Sequence, residues 1–295
     1  MQNHLTIQNL NYTVLGKPIL KEISFTCTNG IIALLGNNGV GKTTLMRIIA
    51  GLKKANTGTI LLDEISLIKH KPYPINEVGY LPQDFEIYGN ITGYDFLSYV
   101  YDVKGLAKEQ KKQVLEEIID RFSLQTVIHK RFARYSGGFK RRLGIAQAVL
   151  GEPKLIIIDE PTAGLDPQQR IEFRRFLSAI STQAITLIST HIIEDVELLS
   201  DQLVVIGNDK KLIFDGEVKS LIAQAEGHIY TTNISRNQLV ELRQQALIIE
   251  EARLTNDIVK VKYVPKINTS LSIEAKIEKE ISLENAYLYF QSLHQ

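Results

Sequence analysis

The segment GNNGVGKTT (residues 36–44) lies between the apolar run of residues 31–35 and a helical pattern formed by Leu45, Ile48 and Ile49. A glycine-rich turn between a buried strand and a helix is the setting of a phosphate-binding loop, or P-loop. Its glycines let successive amide N–H groups point at phosphate oxygens, and the helix N-terminus adds a favourable dipole. The predicted phosphate site consists of Gly36, Asn37, Asn38, Gly39, Val40, Gly41, Lys42, Thr43 and Thr44.

Two side chains of this segment have a predicted chemical role. Lys42 supplies a mobile positive charge for the outer phosphates, and the hydroxyl of Thr43 can bind magnesium. The alternative interpretation of the segment is a glycine turn that binds no ligand. The strand before it and the helix after it favour the phosphate site.

Short apolar runs alternate with helical patterns through much of the chain. Residues 155–158, 185–188 and 203–206 are β-rich, whereas Val114, Leu115, Ile118 and Ile119 have helical spacing. Runs that are apolar throughout are typical of strands buried on both faces. The alternation therefore predicts an α/β fold with a parallel sheet at its core.

Two further regions are predicted around this core. Residues from about 92 to 134 contain little strand signal, and Thr92 followed by Asp95 is typical of a helix N-cap. These features indicate a helical subdomain at about residues 90–150. Residues 219–295 lack phosphate-binding glycines and alternate β-like with helical runs. We therefore expect residues 1–218 to form the main unit and residues 219–295 a small α+β C-terminal domain.

The composition is ordinary for a soluble globular protein, with 44% hydrophobic and 23% charged residues. The net charge of +1 provides no broad basic field for nucleic acid, so no nucleic-acid partner is expected. Cys27 is the single cysteine, which favours a reducing compartment. The N-terminus does not resemble a secretory signal, and no apolar run has the roughly 18 to 20 residues that span a bilayer. We expect a cytoplasmic chain that reaches a membrane only through partners.

A pair of carboxylates follows the apolar run of residues 155–158. Asp159 and Glu160 would lie at the carboxyl edge of the parallel sheet, where the P-loop also begins. There Asp159 can hold magnesium, and Glu160 can accept a proton from water that attacks a terminal phosphate. The alternative interpretation is an acidic helix cap before Pro161.

Gln83 and His191 also end apolar runs. The Gln83 amide oxygen could reach a metal, and a neutral His191 imidazole could hydrogen-bond a terminal phosphate and orient water. A structural histidine is the alternative for His191.

A second glycine-rich turn, Ser136-Gly137-Gly138, precedes a helical stretch and suits an anion. In a head-to-tail pair of subunits it could close over the nucleotide of the partner, while the alternative is a simple packing turn.

The whole set of motifs resembles the ATP-binding cassette (ABC) family, over roughly residues 3–218. The matching elements are GNNGVGKTT as Walker A, Gln83 as the Q-loop, YSGGF (residues 135–139) as the signature, LIIIDE (residues 155–160) as Walker B, Ala163-Gly164-Leu165-Asp166 as the D-loop, His191 as the switch histidine, and Tyr12 as the aromatic that stacks on adenine. The resemblance implies a P-loop ATPase cassette with an antiparallel β subdomain beside the parallel core and the helical subdomain. It also implies ATP and Mg²⁺ as cofactors.

The resemblance implies a role for each candidate residue. Lys42, Glu160 and His191 would act in hydrolysis, and Thr43, Asp159 and Gln83 would bind the metal. The remaining nucleotide contacts would come from the P-loop, Tyr12, Ser136, Gly137 and Gly138.

Two features are similar to one branch of the family. Tyr135 and Phe139 replace the commonest signature residues, and a YSGG turn followed by an apolar residue and KRR resembles the ABC-2-type exporters of drugs, peptides and lipids. The stretch SLENAYLYF (residues 282–290) resembles the ending found after the cassette in antibiotic-exporter ATPases. The resemblance therefore implies an exporter of antibiotic, peptide or lipid-like substrates.

Three functions follow as hypotheses. The first is a transporter motor that dimerises on ATP, as a homodimer or a heterodimer, and drives separate transmembrane permease subunits at the cytoplasmic face of the membrane. The second is a non-transport ABC ATPase acting on nucleic acid or ribosomes. The stretch between Lys42 and Tyr135 is too short for a long coiled-coil insertion, and the chain has one ATPase unit. A third, a nucleotide-binding scaffold, would require the loss of Glu160 or His191. The transport motor is the prediction that these features favour.

Overall fold

The computed structural model describes residues 2–161, 167–266 and 275–293. Its strands are β1 (His4–Val14), β2 (Lys17–Thr28), β3 (Gly30–Leu35), β4 (Thr57–Leu62), β5 (Ile65–Ser66), β6 (Val78–Leu81), β7 (Leu155–Ile158), β8 (Ile185–Thr190), β9 (Gln202–Ile206), β10 (Leu212–Gly216), β11 (Tyr230–Ser235), β12 (Ala246–Arg253), β13 (Ile258–Pro265) and β14 (Lys276–Ile277). Its α-helices are α1 (Lys42–Ile49), α2 (Gly93–Val103), α3 (Lys111–Arg121), α4 (Gly137–Val149), α5 (Pro167–Ser181), α6 (Ile193–Leu199), α7 (Val218–Ala225), α8 (Arg236–Gln245) and α9 (Leu283–Leu293). Single 3₁₀ turns cover Lys108–Gln110 and Phe132–Arg134.

The central sheet has the strand order β10-β9-β3-β8-β7-β6. The five strands β9, β3, β8, β7 and β6 are parallel to one another. Strand β10 pairs antiparallel with β9 at one edge of the sheet. Both faces are covered: Ile31, Ala33 and Leu35 of β3 belong to one hydrophobic cluster, and Ile32 and Leu34 belong to another. Burial on two faces explains why these strands are apolar throughout, and the predicted parallel α/β core is confirmed.

A second sheet, β2-β1-β4-β5, is antiparallel. In β1, Leu5 and Ile7 are buried while the residues between and beside them are more exposed, as expected for a sheet with one face in the core. That face packs in the same cluster as Leu45 and Ile49 of α1. The predicted antiparallel β subdomain is therefore present beside the P-loop helix.

The helical subdomain consists of α2, α3 and α4. Thr92 caps α2, because its hydroxyl accepts a hydrogen bond from the Asp95 amide at 3.1 Å. Leu115 of α3 and Leu143 of α4 are fully buried in one cluster. The predicted helical subdomain and its N-cap at Thr92 are confirmed, and its bounds of about residues 90–150 stay a prediction.

The C-terminal region contains α7 to α9 and an antiparallel sheet of order β12-β13-β11-β14. A small cluster around Leu242, Val261 and Tyr263 lies beneath this sheet. The buried Leu283 and Ala286 of α9, by contrast, share the large cluster of the central sheet. The stretch SLENAYLYF is therefore packed in the cluster of the central sheet, while the domain division after residue 218 stays a prediction.

In the described part of the chain, every helix falls short of the length and apolar character that crossing a bilayer requires.

Candidate functional site

Three polar segments meet at the carboxyl edge of the central sheet. Strand β8 lies between β3 and β7, with Leu35 of β3 paired to Thr190 and Ile158 of β7 paired to Ile188. All three strands run in the same direction, so the residues that follow them emerge side by side. The P-loop, the Asp159-Glu160 pair and His191 are thereby brought together, as the sequence predicted.

The P-loop curls around the Lys42 ammonium group. Lys42 Nζ donates to the carbonyl of Gly36 at 2.6 Å and to that of Asn37 at 3.3 Å. Burial lowers the pKa of Lys42, while the nearby Glu160 and Asp159 carboxylates oppose that shift. The loop therefore presents a buried cation beside two acidic side chains.

Two glycines of the loop are required by close backbone contacts. A side chain at Gly36 would lie 2.7 Å from the Ile206 carbonyl oxygen. Gly41 has φ +115°, and a side chain there would lie 2.7 Å from the carbonyl oxygen of Ile19. Backbone atoms of β9 and β2 thus lie close to the loop on two sides, so larger residues would not fit at these two positions.

Asp159 is 1% exposed, and its two carboxylate oxygens differ in their hydrogen bonds. Its Oδ1 accepts from the Ser189 hydroxyl at 2.6 Å and from the Thr43 hydroxyl at 3.2 Å. Its Oδ2 is buried and has no hydrogen-bond partner among the described residues. A buried carboxylate oxygen without a partner is costly, and it is the type of ligand that Mg²⁺ prefers, so the Thr43–Asp159 pair fits this ion.

Glu160 adopts a left-handed backbone conformation, with φ +48°. Its amide donates to the Ser189 hydroxyl at 2.8 Å, and its Oε2 lies 2.7 Å from His191 Nδ1. A carboxylate can only accept, so Nδ1 carries the hydrogen of this bond. The His191 side chain is 54% exposed, which leaves the rest of the imidazole accessible to solvent and ligand.

Arg141 of α4 is a site residue that the sequence analysis missed. Its guanidinium donates to the backbone carbonyls of Glu160 at 2.8 Å, Pro161 at 3.1 Å and Asp159 at 3.3 Å, and reaches the Gln83 carbonyl at 3.4 Å. Burial lowers its pKa to about 10, against the opposing effect of the two carboxylates. Arg141 therefore holds the backbone on which the acidic pair is placed. The KRR stretch was its only signal, and such a stretch usually indicates a solvated helix face.

Replacing Arg141 by Met is expected to lower the free energy of unfolding by about 2 kcal/mol, because carbonyls at the sheet edge lose a charged donor. Chemical denaturation of the purified chain measures this value. The matched control is Arg175→Met, at an exposed position of α5. Equal unfolding free energies for the two variants would contradict the role given to Arg141.

The other predicted residues lie around this centre. Tyr12 of β1 pairs with Leu20 of β2, and the Leu20 side chain lies against Gly41. Tyr12 is therefore one strand away from the P-loop. Lys53 Nζ lies 5.7 Å from the centre of the Tyr12 ring. The Gln83 side chain is exposed, and its backbone carbonyl accepts a hydrogen bond from Arg141. The metal contact expected of Gln83 stays a prediction.

The signature turn has no hydrogen bond to the P-loop within the described part of this chain. Ser136 caps α4, with its hydroxyl accepting from the Phe139 amide at 3.4 Å, and both Ser136 and Gly137 are exposed. Gly138 lies against the Gln169 side chain. The predicted D-loop, Ala163 to Asp166, lies outside the described residues.

Comparison with known proteins finds a matching family model and related sequences. A family model described as ABC transporter matches residues 20–163. The chain is 35% identical over 231 residues to the uncharacterized ABC transporter ATP-binding protein YxlF of Bacillus subtilis, covering 78% of this chain and 76% of that protein. It is 30% identical over 281 residues to the linearmycin resistance ATP-binding protein LnrL of the same organism, covering 92% of this chain and 90% of that protein.

The solved structure of CbiO1 from Clostridium perfringens, described as part of the ABC transporter complex CbiONQ, is similar in fold. It matches with a TM-score of 0.66 and 28% identity, over 75% of this chain and 90% of that chain.

Proposed function

This chain belongs to the family of ABC transporter ATP-binding proteins, and from that membership we propose that it binds and hydrolyses ATP to power separate membrane subunits. The observation that carries the proposal is the Thr43–Asp159–Ser189 cluster beside the buried Lys42, in which Asp159 Oδ2 has no hydrogen-bond partner within the described ranges of the chain. A bound metal ion would supply a partner for Asp159 Oδ2, and the phosphate chain would place negative charge beside Lys42.

Mg²⁺ would be held by the Thr43 hydroxyl and the Asp159 carboxylate, with Gln83 as the third proposed ligand. Its chemistry there would be to neutralise charge on the phosphate oxygens. Lys42 would exchange its two P-loop carbonyls for the outer phosphates, which accept a hydrogen bond from a cation more strongly than neutral carbonyls do.

Glu160 is the proposed general base for the attacking water. One of its oxygens accepts from His191 at 2.7 Å, which orients the carboxylate and leaves the second oxygen to take a proton. With its hydrogen on Nδ1, a neutral His191 has a free electron pair on Nε2. We therefore propose that His191 accepts a hydrogen bond from the attacking water and orients it, rather than donating to the terminal phosphate.

We propose a head-to-tail dimer in which the signature turn of one subunit closes over the nucleotide of the other. Ser136 and Gly137 are exposed at the N-terminus of the 13-residue helix α4, where the helix dipole favours an anion. Tyr12 would stack on adenine at the other end of the nucleotide.

The proposed partners are separate transmembrane permease subunits, which would hold the chain at the cytoplasmic face of the membrane. The CbiO1 description as part of a transporter complex and the name of LnrL support this assignment. The name of LnrL and the YSGGF signature favour export of an antibiotic, peptide or lipid-like substrate. Residues 1–218 would form the cassette and residues 219–295 an accessory domain.

Replacing Lys42 by Ala is expected to weaken ATP binding by about 1.5 to 3 kcal/mol, because the variant loses a charge-assisted hydrogen bond to the phosphates. Titration of the purified chain with ATP and Mg²⁺ measures the dissociation constant. Lys69→Ala, at an exposed position, is the matched control. Equal ATP affinity for the Lys42→Ala protein and the wild type would argue against the proposed function.

A further inference from the structure

Helix α9 reaches the P-loop, although the two are far apart in the sequence. The Tyr287 hydroxyl donates to Asn37 Oδ1 at 3.1 Å, across a separation of 250 residues. Tyr287 is only 7% exposed, whereas Asn37 lies at the exposed side of the loop. A buried phenol is thus aimed at the loop proposed to bind phosphate.

This contact belongs to a chain of hydrogen bonds that all run in one direction. Gln291 Nε2 donates to the Tyr287 hydroxyl at 3.1 Å, Tyr287 donates to Asn37, and Asn37 Nδ2 donates to Asn208 Oδ1 at 3.0 Å. Each group in the middle both accepts and donates, so the bonds strengthen one another. Lys210, two residues after Asn208, donates to the Gly39 carbonyl at 2.9 Å. The loop is therefore held between α9 and the turn that joins β9 to β10.

The helix that supports these hydrogen bonds is packed in the hydrophobic core. Leu283 and Ala286 of α9 are fully buried in the large cluster of the central sheet. Gln291 is also buried, and its Nε2 lies 3.4 Å from the Ile206 carbonyl oxygen, the atom that would meet a side chain at Gly36. Helix α9 and the first glycine of the P-loop are thus fitted to the same point of β9.

We propose that Tyr287 is a positioning residue for the nucleotide, acting through Asn37. This inference rests on the proposed function. Asn37 supplies one of the two carbonyls that hold Lys42, at 3.3 Å, so its side-chain contact with Tyr287 fixes the backbone next to the lysine. A loop that is ordered before binding loses less conformational freedom when phosphate enters, and affinity rises accordingly.

Tyr287→Phe tests the proposal, since it removes the hydroxyl and keeps the buried ring. We expect the dissociation constants for ATP and ADP to rise about 3- to 10-fold, the value of one net hydrogen bond. Turnover at saturating ATP should stay near wild type, because Glu160 and His191 are untouched. The unfolding temperature without nucleotide should also stay near wild type, since Gln291 keeps the Ile206 carbonyl as a partner and Asn37 is open to water.

Tyr289→Phe is the matched control, because it removes a hydroxyl from the same helix. The Tyr289 ring stacks on His228, with the ring centres 5.1 Å apart, and we expect its variant to bind ATP like the wild type. The double variant Asn37→Ala/Tyr287→Phe should bind no more weakly than Asn37→Ala alone. A separate, additive loss in the double variant would overturn the proposal, because Tyr287 would then act by another route.

Measuring ATP binding by the Lys42→Ala variant in parallel distinguishes failure of the Tyr287 role from failure of the proposed function. Weak ATP binding by Lys42→Ala together with unchanged binding by Tyr287→Phe would overturn the role of Tyr287 and leave the proposed function standing. Unchanged binding by Lys42→Ala would instead overturn the proposed function. Weaker binding by Tyr287→Phe and unchanged binding by Tyr289→Phe is the result that supports the positioning role.

Discussion

Replacing Glu160 by Gln is expected to lower steady-state ATP hydrolysis by about 10²-fold or more, since a positioned general base contributes roughly 10² to 10⁴. The amide has the shape of the carboxylate, and its oxygen can still accept the hydrogen bond from His191 Nδ1. It cannot take the proton of the attacking water. ATP binding should therefore persist while turnover is lost.

Phosphate release under steady-state conditions measures this effect, and light scattering should detect a trapped ATP-bound dimer of the same variant. Glu194→Gln, an exposed carboxylate in the first turn of α6, is the matched control and should hydrolyse ATP like the wild type. Turnover by Glu160→Gln above about a tenth of the wild-type rate would exclude Glu160 as the base.

Ser136→Arg is expected to abolish both dimer closure and hydrolysis while the first ATP-binding step stays nearly normal. Ser136 caps α4 at an exposed turn and has no hydrogen bond to the P-loop among the described residues, so its proposed contact is with the nucleotide of the partner. A bulky cation at this helix N-terminus opposes the helix dipole and occupies the space of the approaching phosphate. Nucleotide titration should give a nearly wild-type dissociation constant for ATP, whereas phosphate release by the same preparation should be lost.

Mixed dimers of Ser136→Arg and Lys42→Ala subunits provide the control. In a head-to-tail pair both defects fall on one composite site, and the other site is intact. About half of the wild-type activity should return if the two sites work independently. No recovery in isolated mixed dimers would mean either that the sites are obligatorily coupled or that Ser136 acts within its own chain.

Crosslinking separates those two explanations. The single native cysteine, Cys27, is buried, so cysteines introduced at exposed Ser136 and Asn38 can be joined selectively. A crosslink between subunits in an ATP-trapped dimer supports the head-to-tail arrangement. Its absence in such a dimer would exclude that arrangement.

The parts of the fold that were predicted correctly carry strong local signals. Strand β7 is apolar at every position because both of its faces are covered, and the helix after the P-loop has buried residues at Leu45, Ile48 and Ile49. The position of Asp159 next to the P-loop was also predictable from the sequence, because the carboxyl ends of parallel strands lie at the same edge of a sheet. Local pattern and sheet geometry were sufficient for these features.

The contacts that the sequence did not indicate are made to backbone groups or over long separations. Arg141 donates to carbonyls, which every residue possesses, so no side-chain pattern marks its partners. The Tyr287–Asn37 contact joins residues near opposite ends of the chain. The resemblance of residues 282–290 to an exporter ending drew attention to the stretch around Tyr287 but carried no information about its contact. Tertiary packing alone brings these groups together.

If Glu160 is the proposed general base, its left-handed backbone sets stability against activity at this position. A non-glycine residue in this conformation costs about 1 to 2 kcal/mol, and it persists here because Arg141 and Ser189 bind the peptide groups on either side. Glycine would adopt the same backbone with less strain but would have no carboxylate. Under the proposed function, Glu160→Gly would relieve this strain and abolish turnover in the same substitution.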